Sequence, residues 1–160
     1  KDNSSNELKI AKERISDCLA ECLDFSIRYS SNFLIEPLNR YETNIFNNFE
    51  DTSSFLEDYK HKFDMDRIGL IADTFHMNIE EPIIQESFDK FKNLIKHIHF
   101  SDSNRRAPGY GHINFDSIIK TIKKNKYDGF ISFEMLPLPD PDASANKAIN
   151  FIRNVWNTVE

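Results

Sequence analysis

The chain has 160 residues, 39% of them hydrophobic and 12% aromatic, which suffices for one domain with a core of its own. Its net charge of −6 works against a general nucleic-acid binder or a membrane-surface binder, because both need a basic face to meet phosphate. No apolar stretch approaches the roughly 18 to 20 residues of a membrane span, and the opening KDNSSNELK has no signal-peptide apolar region, so the expected setting is cytoplasmic.

Leu8, Ala11, Ile15, Cys18, Leu19 and Cys22 recur at helical spacing and predict an amphipathic helix over residues 6–29. Cys18 and Cys22 share a face of that helix with no second Cys or His pair nearby, so they read as reduced packing residues instead of a zinc site. A first strand follows at Asn32–Glu36, stopped by Pro37. Thr52 to Ser54 offer N-cap hydroxyls to a second helix over Thr52–His61, and a second strand covers Arg67–Asp73. Glu80, Glu81 and Pro82 read as the start of a third helix, with acids at the positive end of the dipole and Ile84, Phe88 and Phe91 as its buried stripe. The third strand spans Ile95–Phe100. Ile118, Ile119 and Ile122 mark another helix, and the turn at Asp128 and Gly129 leads into a fourth strand, Phe130–Met135. Ala145, Ala148, Ile149, Ile152, Val155 and Trp156 line the last helix.

Apolar strands that alternate with helices predict an α/β fold with a parallel sheet covered by helices. Each strand ends on a residue that an apolar interior resists: FLIE on Glu36, IGLIAD on Asp73, IKHIH on His99 and FISFE on Glu134. Burying an uncompensated charge costs several kcal/mol, so four such groups together ask for a cation. Three carboxylates and one imidazole form a hard donor set that suits Mn²⁺, Mg²⁺ or Co²⁺ better than Zn²⁺. All four lie at the C-terminal ends of their strands, where α/β barrels and open α/β sheets gather catalytic groups.

The motifs EPLNRYETN, LIADTFHMNIEE, HIHFSDSNRRAPGYGH and ISFEML follow one another between Glu36 and Glu134. Together they resemble the sugar phosphate isomerase/epimerase family of xylose isomerase-like barrels, and within it the ketose 3-epimerases of the D-psicose and D-tagatose type. The resemblance implies a (β/α)₈ TIM barrel. A full barrel takes about 250 residues, so residues 1–160 are expected to form a single C-terminal half-barrel holding parallel strands five to eight. It also implies one divalent ion, Mn²⁺ first, with Co²⁺ or Mg²⁺ next and Zn²⁺ less favoured, ligated by Glu36, Asp73, His99 and Glu134. Glu42, His76 and Arg105 would contact the sugar. By the same resemblance, Glu36 and Glu134 double as acid and base in an epimerisation or isomerisation of a small ketose through a metal-stabilised enediolate. The partners implied are the missing N-terminal half or a second copy of the chain.

Around these residues, His97 shares a strand face with His99 and is expected to be a hydrogen-bonded core histidine. Arg106 reads as a surface or salt-bridged residue and His112 as a neighbour of the site. Gly109 and Gly111 either let the loop backbone approach a ligand or form a plain turn. Two rival readings stand beside the epimerase. One is a half-barrel that holds metal without turnover. The other is a metal-dependent endonuclease for abasic DNA on the same barrel, which the acidic charge disfavours, as does the lack of a further Asp-x-His in SDSNRRAPGYGH.

Overall fold

A computed structural model describes residues 2–159. The chain opens with α1 (Asp2–Ser26), continued by a 3₁₀ turn over Ile27–Tyr29, and then β1 (Phe33–Ile35), α2 (Phe49–Asp58) and β2 (Ile68–Asp73). Next come α3 (Thr74–Glu80), α4 (Ile84–Lys90), β3 (Ile95–Phe100), α5 (Phe115–Lys124), β4 (Ile131–Phe133) and α6 (Pro141–Thr158). The four strands form one sheet in the order β1-β2-β3-β4, every pair parallel. A doubly wound sheet reverses its strand order at a switch point, whereas an order that follows the chain straight through is that of a TIM-barrel wall.

Side chains alternate across this sheet. Ile68, Leu70, Ala72, Ile98 and Phe100 are fully buried on one face and pack with Phe55, Leu56, Phe88, Ile118, Ile119, Ile122 and Ile152 of the helices in a single core. Each of the large residues removed from water contributes roughly 1.5–3 kcal/mol. The opposite face carries Ile71, Asp73, His97, His99, Ser132 and Glu134, and no helix among the described residues covers it. Asp73, His99 and Glu134, three of the four strand-end residues, lie on that face.

Several boundaries move from their sequence-based positions, each for a physical reason. Asn48, and not Thr52, caps α2: its side chain accepts from the Asp51 N–H, while Thr52 lies inside the helix and bonds back to the Asn48 carbonyl. Glu80 and Glu81 do not open a helix. They close α3, a seven-residue helix absent from the sequence expectation, and α4 starts later at Ile84. In α1 the face turned inward runs through Ile15, Ser16, Leu19, Ala20, Leu23 and Ser26, so Leu8 and Cys18 are exposed and only Cys22 is half-buried. The fourth strand is shorter than expected: Phe130 is 82% exposed outside it, and Glu134 follows its last residue.

Candidate metal centre

Backbone register brings the four strand-end residues together. Asp73, the last residue of β2, pairs with His99 of β3, and His99 pairs with Ser132 of β4. Glu36 and Glu134 follow the ends of β1 and β4. The Nδ1 of His99 stands 3.2 Å from Glu36 Oε1, 2.8 Å from Glu134 Oε2 and 3.8 Å from Asp73 Oδ2. One donor atom from each of the four lies within 4.8 Å of the others. All four metal ligands expected from the sequence therefore converge.

Electrostatics fit a divalent cation here. The Asp73 side chain has no solvent exposure, and burial pushes its carboxyl up to about 7, against the pull of the Arg105 guanidinium and the Phe75 N–H. His99 is raised, first by its hydrogen bond to Glu36 and despite burial. Burial acts to raise Glu36 as well, but the bond and charge of His99 outweigh it and hold the carboxyl below its ordinary range. Three carboxylates gathered around one imidazole, with the Asp73 carboxyl raised by burial, favour an added cation among them. Hard oxygen donors plus one imidazole match Mn²⁺, Co²⁺ or Mg²⁺.

A pH dependence follows. Metal must displace any proton held by Asp73, whose carboxyl is pushed up to about 7, and competes likewise at His99, which is raised, so affinity should fall as pH drops from 8 to 6, approaching about tenfold per pH unit below 7 for the Asp73 proton. Calorimetric titrations of Mn²⁺ in buffers of differing ionisation enthalpy would count those protons. Affinity that stays flat between pH 6 and 8 would contradict the assignment.

The expected sugar contacts gather at the same end of the sheet. His76 lies in α3, only 3% exposed, and not in a solvent-facing loop. Burial lowers its basicity, and the charge of Arg105 lowers it further. Glu42 Oε1 sits 3.8 Å from His76 Nδ1, with the amide of Asn39 at 2.7 Å from the same oxygen. Arg105 reaches the four-residue cluster itself: Nη1 bonds Asp73 Oδ2 at 2.7 Å, Nη2 lies 3.2 Å from Glu134 Oε1, and the guanidinium stacks over Phe75 at 4.7 Å. Its backbone takes the left-handed region at φ 59°, a conformation costly for a residue with a Cβ.

At 2.9 Å the Arg105 N–H donates to the carbonyl of Asp102, a residue that sequence reasoning missed. Its buried carboxylate accepts N–H bonds from Ser103, Gly109 and Ile113, at 2.8, 2.8 and 3.1 Å, winding the loop around one anion. A Cβ on Gly111 would come within 2.2 Å of the same carboxylate. Gly109 adopts φ +91° against Phe151. Both glycines thus serve an internal anion and not a ligand. Burial acts to raise the Asp102 pKa, but the backbone N–H groups outweigh it and hold the carboxyl below its usual range. Asp102→Ala would leave those part-buried donors without their shared acceptor, for an expected loss of about 3 kcal/mol. Since the folded pKa is depressed, the stabilisation is full at neutral pH and fades as pH falls below about 4. Urea midpoints of wild type and variant at pH 7 and pH 3 check this, and equal midpoints at pH 7 would refute it.

The neighbours behave variously. His97 bonds Ser132 Oγ at 2.8 Å as expected, but is only half-buried because it lies on the uncovered face. Arg106 stacks over Tyr110 at 4.9 Å and pairs with no carboxylate among the described residues. His112 bonds Ser103 Oγ at 3.0 Å and stays outside the four-residue cluster.

Residues 2–155 match the family described as Xylose isomerase-like TIM barrel. The chain belongs to this family. Among its curated relatives is 3-dehydro-D-guloside 4-epimerase of Escherichia coli (strain K12), 26% identical over 145 residues that cover 89% of this chain and 53% of the relative. D-psicose 3-epimerase of Agrobacterium fabrum is 32% identical over 111 residues, covering 69% of this chain and 37% of the relative. A solved L-ribulose 3-epimerase superposes with a TM-score of 0.84 at 26% identity, over 92% of this chain and 55% of that one. The chain spans about half the length, or less, of the curated relatives it matches.

Proposed function

We propose that this chain is the second half, strands five to eight, of a (β/α)₈ barrel that epimerises or isomerises a small ketose in the cytoplasm with one divalent ion, Mn²⁺ before Co²⁺ or Mg²⁺. The convergence of Glu36, Asp73, His99 and Glu134 within 4.8 Å, with Glu42, His76 and Arg105 alongside, carries this reading. Relatives named as sugar epimerases support it. A divalent ion held by the four side chains would supply the positive charge that steadies an enediolate formed beside a carbonyl.

The chain's own groups divide the remaining work. Inverting a stereocentre needs a base on one face of the carbon and an acid on the other. Glu36 and Glu134 come from β1 and β4, the two outer strands of this sheet, and approach from opposite sides of the Asp73–His99 pair. Glu134 is half-exposed and so open to exchange with water, while Glu36 is mostly buried against His99. Asp73, without exposure and tied to Arg105, holds position instead of moving protons. Glu42 accepts and His76 donates hydrogen bonds to sugar hydroxyls, and the planar fork of Arg105 steadies developing negative charge. A screen of ketoses with Mn²⁺ tests the reaction class, with inversion of at least one the expected result and inertness toward all of them the contrary one.

A specific observation favours a companion reading for the chain by itself. β1 and β4 each have a free edge, and Phe25, Ile27, Tyr29 and Phe130 stand 60% or more exposed. Free edges and exposed apolar side chains recruit partners. The isolated 160-residue chain should therefore scatter light as a dimer or higher species, and should hold metal with weak turnover or none. A stable monomer with full turnover would show that these residues complete the pocket unaided.

A further inference from the structure

Asn39 sits in the turn after β1, 1% exposed, and uses every polar atom it has. Its carbonyl accepts from the N–H groups of Glu42 and Thr43 at 3.0 and 3.2 Å, which closes the turn. Its side-chain Oδ1 accepts from the Tyr41 N–H at 3.0 Å. A backbone N–H can only donate, so this contact fixes the amide orientation and turns Nδ2 toward the other side. There Nδ2 stands 2.7 Å from Glu42 Oε1 and 2.8 Å from His76 Nδ1, one hydrogen for each. The Asn39 backbone N–H also points at His76 Nδ1, at 3.2 Å.

Two donors converging on one ring nitrogen leave it no room for a hydrogen. We propose that Asn39 is a positioning residue that fixes His76 as the tautomer carrying its hydrogen on Nε2, and with the same amide holds Glu42 beside it as an acceptor. The substrate side is then presented with one preset donor and one preset acceptor, the pair that a hydroxyl group needs, since its oxygen accepts one hydrogen bond while its hydrogen donates another. Had Nδ1 carried the hydrogen, His76 would point a hydrogen at two donors inside a buried site, an arrangement that forfeits both bonds.

This inference rests on the proposed ketose reaction only for its activity arm. The first measurement is ring-nitrogen NMR of the ¹⁵N-histidine-labelled chain, in which His76 should show an unprotonated Nδ1 and a protonated Nε2. Asn39→Asp keeps size and the acceptor for Tyr41 but replaces the donor with a second carboxylate oxygen. The hydrogen of His76 should move to Nδ1 in that variant, and its Mn²⁺ affinity should stay within about twofold of wild type, because Asn39 is no metal ligand. Turnover of whichever ketose is accepted should fall about 10- to 100-fold in kcat/KM, the cost of withdrawing a substrate hydrogen bond. A wild-type His76 protonated at Nδ1, or a tautomer that does not move in Asn39→Asp, overturns the inference. Should Asn39→Asp fail to fold, the wild-type spectrum alone decides. If no ketose is turned over, the epimerase reading fails while the tautomer result still stands or falls by itself.

Discussion

Replacing Asp73 with Asn, or His99 with Ala, is expected to lower Mn²⁺ affinity by more than about 100-fold, beyond the 10- to 100-fold cost of disturbing groups that merely orient ligands. Asp73 is the deepest of the four, and its burial leaves no water to take over a lost ligand position. The fold should survive the change. Asp73 also caps α3 by accepting from the Phe75 N–H at 2.8 Å, and an Asn side chain oxygen caps a helix nearly as well. Removing His99 takes away the only nitrogen donor of the four and the imidazole that Glu36 and Glu134 both approach. Titration calorimetry on folded protein measures both variants, and unchanged affinity in the pair would remove the site from consideration.

Glu134→Gln should abolish proton transfer on one face of the substrate while leaving part of the metal affinity, because an amide oxygen still ligates but cannot take a proton. General acid–base groups contribute about 10²- to 10⁴-fold in rate, and a loss of that size is expected in both epimerisation and solvent exchange. In D₂O the wild-type protein, with its barrel complete, should place deuterium at the carbon it inverts. The half-exposed carboxyl of Glu134 provides the exchange route. Full activity in the Gln variant would end the acid–base assignment of that residue. Loss of epimerisation with loss of all metal binding would reassign Glu134 as a ligand alone.

How much of this could be read from residues is clearest at the strands. Glu36, Asp73, His99 and Glu134 stood out because each interrupts an apolar run, and a strand with alternating faces delivers such residues to one side of the sheet whatever the loops do. Parallel order followed from the same alternation of strands with helices. Helix ends fared worse. At Glu80-Glu81-Pro82 the acids and the proline carry a helix-start signal, but Glu80 is occupied by Arg40, at 2.8 Å, and Glu81 accepts from the Phe49 N–H and pairs with Ser87, so tertiary bonds claimed both carboxylates. The α3 helix was invisible because seven residues, TFHMNIE, give too little room for a periodic pattern to declare itself.

Asn39 and Asp102 escaped notice for a different reason. Both are polar loop residues, and a loop sequence does not distinguish a side chain facing water from one buried among backbone N–H groups. The structure separates them by burial, 1% exposed in each case. In hindsight the two glycines of PGYG carried a faint signal for Asp102, since the loop can approach its carboxylate closely only where a Cβ is missing. Nothing in the spacing of EPLNRYE pointed to the amide of Asn39 over its neighbours.

The central claim is that one divalent ion sits among four side chains from four consecutive strands, and an anomalous-difference map of crystals grown with Mn²⁺ tests it most directly. The account predicts a single strong peak at ligand distance, about 2.0–2.3 Å, from Glu36, Asp73, His99 and Glu134 together, with Arg105 displaced from Asp73 by the ion. A saturated crystal with no peak at that position, or with its peaks only elsewhere on the surface, would contradict it.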